Sequence, residues 1–524
     1  MAESWMDFRG QVKSRWSAWA RALWVGRKKF ADQCRRLKRE KAEAEQRLRE
    51  LQAALQREQA VSQRLREEAR REEARRGESA AQSWVAPLRW PDDPPLTGHG
   101  FGPRMISLCV NVARRCGLRA TEAVLRIVFE WLGLTVRIPD WTTIRTWLQR
   151  LGVAAIEEPL ERADDWVWLV DHSNQIGVEK VLAVLAVRAS QLPPPGTPLR
   201  HEDLRVLTVQ PGTTWKTADV AVVYEELAQR HGAPRAVLCD GAPELRDAAE
   251  TLRKQRPDSI RLGDFKHRAA NVLKSVVGGD PRFAEFQTHV GRTRCAIQQT
   301  ELAHLVPPTV RPKARFMNLA ATLHWAAAMQ WLLDTPAAQG RESITATRLE
   351  EKLGWLRPFA VDVARWSACQ RVVSIGVTFV CEQGLSRGAA DRFGELVADS
   401  SAHAASRDIA ERLTQFLRDA ESLLVEGERL PLSTEILESS FGLYKQLERQ
   451  HSQSGFTSLI ATFGALLRPT TPAMIRSAFE RVKMKDVRDW LQKNLPKTLT
   501  AKRLTTYREF NATQKRATKT IALT

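Results

Sequence analysis

The sequence predicts a multidomain protein organised around a mixed α/β domain, and three observations carry that reading. Apolar runs at Trp166–Val170, Val181–Val187, Leu204–Val209 and Ala236–Asp240 are short enough for strands and are separated by polar links and amphipathic helical stretches. Two of these runs end in an aspartate, Asp171 and Asp240. Beyond Asp264 the periodicity turns helical for about 160 residues, too long for a loop and therefore a domain in its own right.

Composition narrows the partners. The chain has 524 residues and a formal net charge of +19, with no acidic tail to balance it. Such a surplus points to a polyanion, nucleic acid first and an anionic membrane surface second. No apolar run is long enough to span a bilayer, and Arg and Lys interrupt the first 29 residues where a secretory signal would need an apolar core. The seven cysteines are scattered with no CxxC, as expected of a reduced cytosolic protein without a zinc framework. Seventeen tryptophans against three tyrosines is unusual, and most of the tryptophans are expected in cores.

In chain order, residues 1–33 set Trp5, Trp16, Trp19 and Trp24 among basic residues, a pattern that suits a helix on DNA, on a membrane surface or on the rest of the protein. Residues 34–76 lack Pro and Gly. Leu37, Ala44, Leu51 and Leu65 fall at d and Leu48 and Leu55 at a of a heptad, weakened by Glu58 and Ser62. That seam predicts a coiled coil joining two copies of the chain, the alternative being a single solvated helix laced by ion pairs. A Pro-rich linker occupies 77–103.

Residues 104–155 read as three short helices, Met105–Arg115, Ala120–Leu132 and Pro139–Gly152. The third places Ile144, Trp147, Leu148 and Leu151 on one face and Thr142, Thr143, Arg145 and Arg150 elsewhere, so it suits the recognition helix of a helix-turn-helix, although any three-helix unit shows the same periodicity. The mixed α/β domain begins at 164 and runs to 267, with helices at Ala218–Arg230 and Glu244–Gln255 and a fifth short strand at Ser259–Leu262. An all-helical segment spans 268–430. Residues 431–467 contain a helix that starts from a Pro and Ser-Thr boundary and bears Glu435 and Glu438. The basic region 468–524, with fourteen Lys and Arg against four Asp and Glu, is expected to be helical to about Asn494.

The order strand-Asp171, strand-Asp240, helix-Glu438 on a frame of three strands, helix, strand, helix, strand resembles the RNase H-like superfamily, and within it a bacterial insertion-sequence transposase of the DDE type. The stretch DFKH at Asp264–His267 resembles the C/D(2)H signature of the Mutator-like and hAT groups, which also carry a helical insertion before the glutamate. The resemblance covers about Trp166 to Leu467. It implies an RNase H-like catalytic domain interrupted by an all-α insertion and preceded by a coiled coil and a helix-turn-helix domain. It implies Asp171, Asp240 and Glu438 as catalytic and metal-binding residues, with Asp171 bridging two Mg²⁺ (or Mn²⁺), Asp240 on one ion and Glu438 on the other. Glu435, three residues away on the same helix face, is the alternative third acid. Asp264 and His267 take an accessory role or simply brace the fold, and His172 and Asn174 read as turn residues.

Two ions about 4 Å apart can serve the attacking and leaving oxygens of an in-line displacement. Magnesium keeps several waters, so a few carboxylates suffice. The resemblance implies a transposase, expected in the bacterial cytoplasm and associated with the nucleoid. It would act as a homodimer or higher oligomer on double-stranded DNA, with no membrane partner. The alternatives are a DNA-binding derivative without catalysis and an RNase H-like nuclease that cuts without joining.

Overall fold

The computed structural model describes residues 89–174, 180–212, 214–309, 316, 319–335, 345–450, 458–495 and 503–511, with backbone alone for 173 and 174. The N-terminal basic helix and the heptad segment lie outside the described residues. Residues from 89 onward form one compact unit. Three helices open it: α1 (Pro103–Cys116), α2 (Leu118–Trp131) and α3 (Trp141–Ile156).

A five-stranded sheet follows, made of β1 (Trp166–Asn174), β2 (Lys180–Arg188), β3 (Arg205–Gly212), β4 (Ala236–Cys239) and β5 (Ile260–Gly263) in the spatial order β3-β2-β1-β4-β5. The first three strands form an antiparallel meander, while β4 and β5 run parallel to β1. Parallel pairing needs crossovers, and helices α4 (Thr217–His231) and α5 (Pro243–Gln255) supply them.

Side chains of a strand alternate between faces, and here both faces are buried. Trp166, Trp168 and Val170 pack with Val237, Cys239, Tyr224 and Leu245 on the α4/α5 side. Val167, Leu169, Ala236, Leu238 and Leu262 join the main core on the other. Burial on both sides is why these strands read as unbroken apolar runs.

After β5 the chain enters α6 (Phe265–Val277) and then a helical array: α7 (Pro281–Ile297), α8 (Leu319–Asp334), α9 (Ala346–Leu353), α10 (Ala360–Gln383), α11 (Ala389–Val397) and α12 (Ala404–Glu421). Here the tryptophans do serve as core: Trp366 packs edge-on against Phe283 at 5.1 Å and donates through Nε1 to Asp280 at 3.1 Å, and Trp355 stacks on His289 at 4.9 Å. Among the described residues the exposed tryptophans are Trp331, in α8, and Trp131, at the end of α2. A two-stranded ribbon, β6 (Leu385–Ser386) with β7 (Arg429–Leu430), leads the chain back to α13 (Glu435–Arg449), which packs on β1. Helices α14 (Pro472–Arg481) and α15 (Met484–Asn494) return to α3, and α14 also packs on α1. Among the described residues no helix is long and apolar enough to cross a membrane, and the six described cysteines are free.

Two local expectations are corrected. The strand bearing Asp171 does not stop there. It continues to Asn174 because β2 keeps pairing with it as far as Asn174↔Lys180, so His172 is a strand residue and not part of a turn. Gly152 does not end α3; it is a contact point. A Cβ there would lie 1.9 Å from the Ala461 carbonyl oxygen, and Gly464 in turn sits against the Gly152 carbonyl. A methyl group at Gly152 must push two backbones apart, so Gly152→Ala should cost about 1–3 kcal/mol, read as a lowered midpoint in chemical denaturation.

Candidate functional site

Register alone brings the aspartates together. Val170 pairs with Cys239 across the parallel ladder and Cys239 with Gly263, so Asp171 in β1 and the residues just past β4 and β5, Asp240 and Asp264, follow in the next row. Neighbouring strands are about 4.8 Å apart. By alternation the three share the face of Val167, Leu169, Leu238 and Leu262, the face on which α13 lies. The carboxyl ends of parallel strands are where open α/β sheets place their ligand crevice.

The row divides into one structural and two open carboxylates. Asp264 is buried and caps α6, accepting from the Lys266 amide at 2.6 Å and the His267 amide at 3.2 Å. It also accepts from His267 Nδ1 at 3.1 Å, from the Thr434 amide at 3.1 Å and from the Thr434 hydroxyl. Burial alone would raise its pKa, but His267 and then Thr434 hold it below the usual carboxylate value. Asp264 thus staples the end of β5 to the start of α13, a bracing role.

Asp171 and Asp240 have no such company. Asp171 is only 9% exposed and accepts the His172 amide at 2.6 Å. Asp240 accepts the Ala242 amide at 2.9 Å. Among the described residues neither carboxylate hydrogen-bonds a cationic side chain. Burial first, and then the charge of Asp240, push the Asp171 carboxyl up to about 7; Glu438 adds to the rise and His267 opposes it. A buried acid facing a second acid without a paired cation is a donor set that a hard divalent ion would relieve, and Mg²⁺ or Mn²⁺ suits all-oxygen ligation.

Glu438 approaches this pair from the first turn of α13. One of its oxygens accepts from Lys266 Nζ at 2.9 Å and the other lies 3.8 Å from His267 Nε2. Glu435 shares the same ammonium at 3.1 Å, and its second oxygen meets Cys381 Sγ at 3.5 Å. Among the described residues no three His, Cys, Asp or Glu side chains stand close enough together to surround one metal ion. The Asp264 hydrogen bond raises the His267 pKa to about 9 against the effect of burial, with Asp264, Glu438 and Asp240 adding charge, so its imidazolium lies between two carboxylates.

The side chain of His172 projects to the opposite face, near Glu244 at 3.5 Å and stacked on Trp215. The sequence reading missed Lys266 and Thr434. Lys266 is one of the two unspecified positions of DFKH, and Thr434 shows only as the polar boundary before α13.

The residues expected to read DNA separate. Asp140 caps α3 by accepting from the amides of Thr142 and Thr143 and from both their hydroxyls, leaving these threonines on the open first turn. Arg145 lies over the Trp141 ring at 5.6 Å. Arg150 is corrected. It is buried, donates to the carbonyls of Phe479 and Val482, and lies 4.1 Å over the Phe479 ring, so it pins α14 to α3 and is not available to DNA. The second half of α3 is packed against 458–466 and α14, so only its beginning remains open.

Two outcomes follow. Asp264→Ala strands the buried donors of Thr434 and His267, and should cost about 3 kcal/mol or more in denaturant unfolding. An acid whose folded pKa is raised loses stability as pH climbs from its unfolded value, near 4, towards about 7. In chelator, Asp171→Asn should therefore raise the thermal midpoint above wild type by several degrees at pH 8 and by much less at pH 5.

No protein-family model matches the sequence, and no curated protein matches it. Among solved structures, the chain is similar to one in the Drosophila P element transposase strand transfer complex, at 12% sequence identity and a TM-score of 0.34, with 80% of this chain and 100% of that chain covered.

Proposed function

We propose that the protein is a DNA transposase of the DDE type. It would bind the terminal inverted repeats of its element and catalyse metal-dependent strand cleavage and strand transfer in an RNase H-like domain. The observation that carries this reading is the pair Asp171, within β1, and Asp240, just past the end of the parallel strand β4, the Asp171 carboxyl driven up by burial and then by Asp240, with Glu438 facing them. The strand order β3-β2-β1-β4-β5 and the helical insertion between β5 and α13 support it. So does the net charge of +19, which favours a polyanionic substrate by counterion release.

Asp171, Asp240 and Glu438 would hold two Mg²⁺ ions, which when bound supply Lewis-acid activation of the attacking oxygen and charge relief at the leaving one. The rest falls to the chain itself. The sheet fixes the two aspartates in register, so neither has to reorganise to meet a ligand. Asp264, stapled to Thr434, fixes the angle at which α13 presents Glu438. The basic surface holds the phosphate backbone, and the open first turn of α3, with Thr142, Thr143 and Arg145, takes part in end binding. Assembly into a dimer or higher oligomer would bring two ends together.

The test is an assay with Mg²⁺ or Mn²⁺ on DNA carrying the inverted repeats that flank the gene, scoring nicks, double-strand breaks and joined product separately. Asp171→Asn, Asp240→Asn and Glu438→Gln should each lower cleavage and joining at least about 10³-fold, with end binding in a gel shift largely intact. Glu435→Gln should leave catalysis measurable. Full activity in Asp171→Asn would end the proposal. Binding without cleavage by the wild type would favour a non-catalytic derivative, and cleavage without joining a nuclease.

A further inference from the structure

The acidic cluster contains cations of its own. Five carboxylates (Asp171, Asp240, Asp264, Glu435 and Glu438) face two basic side chains, His267 and Lys266. His267 serves Asp264 first, through a direct hydrogen bond at 3.1 Å. The ammonium of Lys266 is shared between Glu438 at 2.9 Å and Glu435 at 3.1 Å, and its side chain is only 19% exposed, so the pair of contacts is partly shielded from water. Such charge-assisted bonds are the stronger kind.

The two glutamates differ in where they face. Glu438 looks towards the aspartate row, close enough to affect Asp171 and within 3.8 Å of His267. Glu435 looks away, towards Cys381 and a cavity of about 320 Å³ lined by Leu192, Leu199, Ile436 and Ser439. The ammonium therefore sits on the boundary between one carboxylate that belongs to the site and one that does not.

We propose that Lys266 is the resident counter-ion of Glu438: its ammonium holds this carboxylate in the metal-free protein, gives it up to a divalent ion, and stays beside the site on Glu435. This inference rests on the metal-binding reading above. Under it the two glutamates of α13 have separate tasks, Glu438 as ligand and Glu435 as the carboxylate that retains the displaced lysine. Lys266 is a positioning residue, since it acts on the ion through Glu438. Its charge opposes the incoming cation, and removing it leaves Glu438 unoccupied and the site more negative.

The test is Mn²⁺ binding to the full-length protein without DNA, with free Mn²⁺ followed by electron paramagnetic resonance. Lys266→Met should bind about ten-fold more tightly than wild type, because one positive charge a few ångströms from a divalent ion is repulsive at any protein dielectric. Lys266→Arg, which keeps the charge, should stay within about two-fold of wild type. Glu435→Gln, an isosteric change at a half-exposed side chain, should weaken binding about three-fold by returning the ammonium wholly to Glu438, and this loss should vanish in the Lys266→Met background. Unchanged or weaker binding in Lys266→Met, or a Glu435→Gln loss that persists without the lysine, overturns the inference while leaving the metal reading intact. Wild-type protein that binds no Mn²⁺, or binding that survives Asp171→Asn, sinks the metal reading and this inference with it.

Discussion

The arrangement of the site depends on one constraint, the in-register parallel pairing of β1, β4 and β5. Hydrogen bonds along these ladders align Val170, Cys239 and Gly263, and whatever residue follows each is delivered to the same edge and the same face. A register slip of one residue would turn the side chains to the opposite face. Burial on both faces prevents that slip, because Trp168 and Leu169 would have to exchange environments. Hydrophobic packing thereby fixes the positions of like-charged groups that would otherwise move apart.

Holding such groups together has an energetic cost, and the surrounding structure meets it unevenly. Asp264 is satisfied by backbone, hydroxyl and imidazole donors, and becomes part of the frame. Asp171 is buried beside Asp240 with no cationic side chain hydrogen-bonded to either carboxylate among the described residues, so their repulsion is not offset in that way. Glu438 lies between these extremes, satisfied by a lysine that is itself shared. A gradient from satisfied to unsatisfied carboxylates runs across a single sheet edge and the helix above it.

Much of this was legible in the residues. WVWLVD reads as a buried strand with an acid because a short, unbroken apolar run suits a strand covered on both faces, and AVLCD repeats the pattern. The helix of Glu435 and Glu438 begins where the Pro and Ser-Thr boundary indicates. What escaped were contacts made across long stretches of chain. Nothing local to Arg150 reveals that Phe479 and Val482 will offer it carbonyls, so a helical arginine passed for a DNA contact. Gly152 looked like a stop signal because the approach of Ala461 is invisible in one dimension. His172 passed for a turn residue because pairing by β2 on one side outlasts pairing by β4 on the other. Lys266 was hidden in an unspecified position, since its partners lie about 170 residues away.

The staple between Asp264 and Thr434 has one more consequence. Together with the Phe265 amide bonded to the Leu432 carbonyl at 3.0 Å, it closes the helical array into a loop whose two ends touch. The entropy lost in closing a loop grows only with the logarithm of its length, about 0.6 kcal/mol per doubling. The frame that carries the carboxylates is therefore nearly indifferent to how much chain lies between those ends. Helices could be gained or shed there over evolutionary time with little effect on the carboxylates, provided that the knot at the base stays tied.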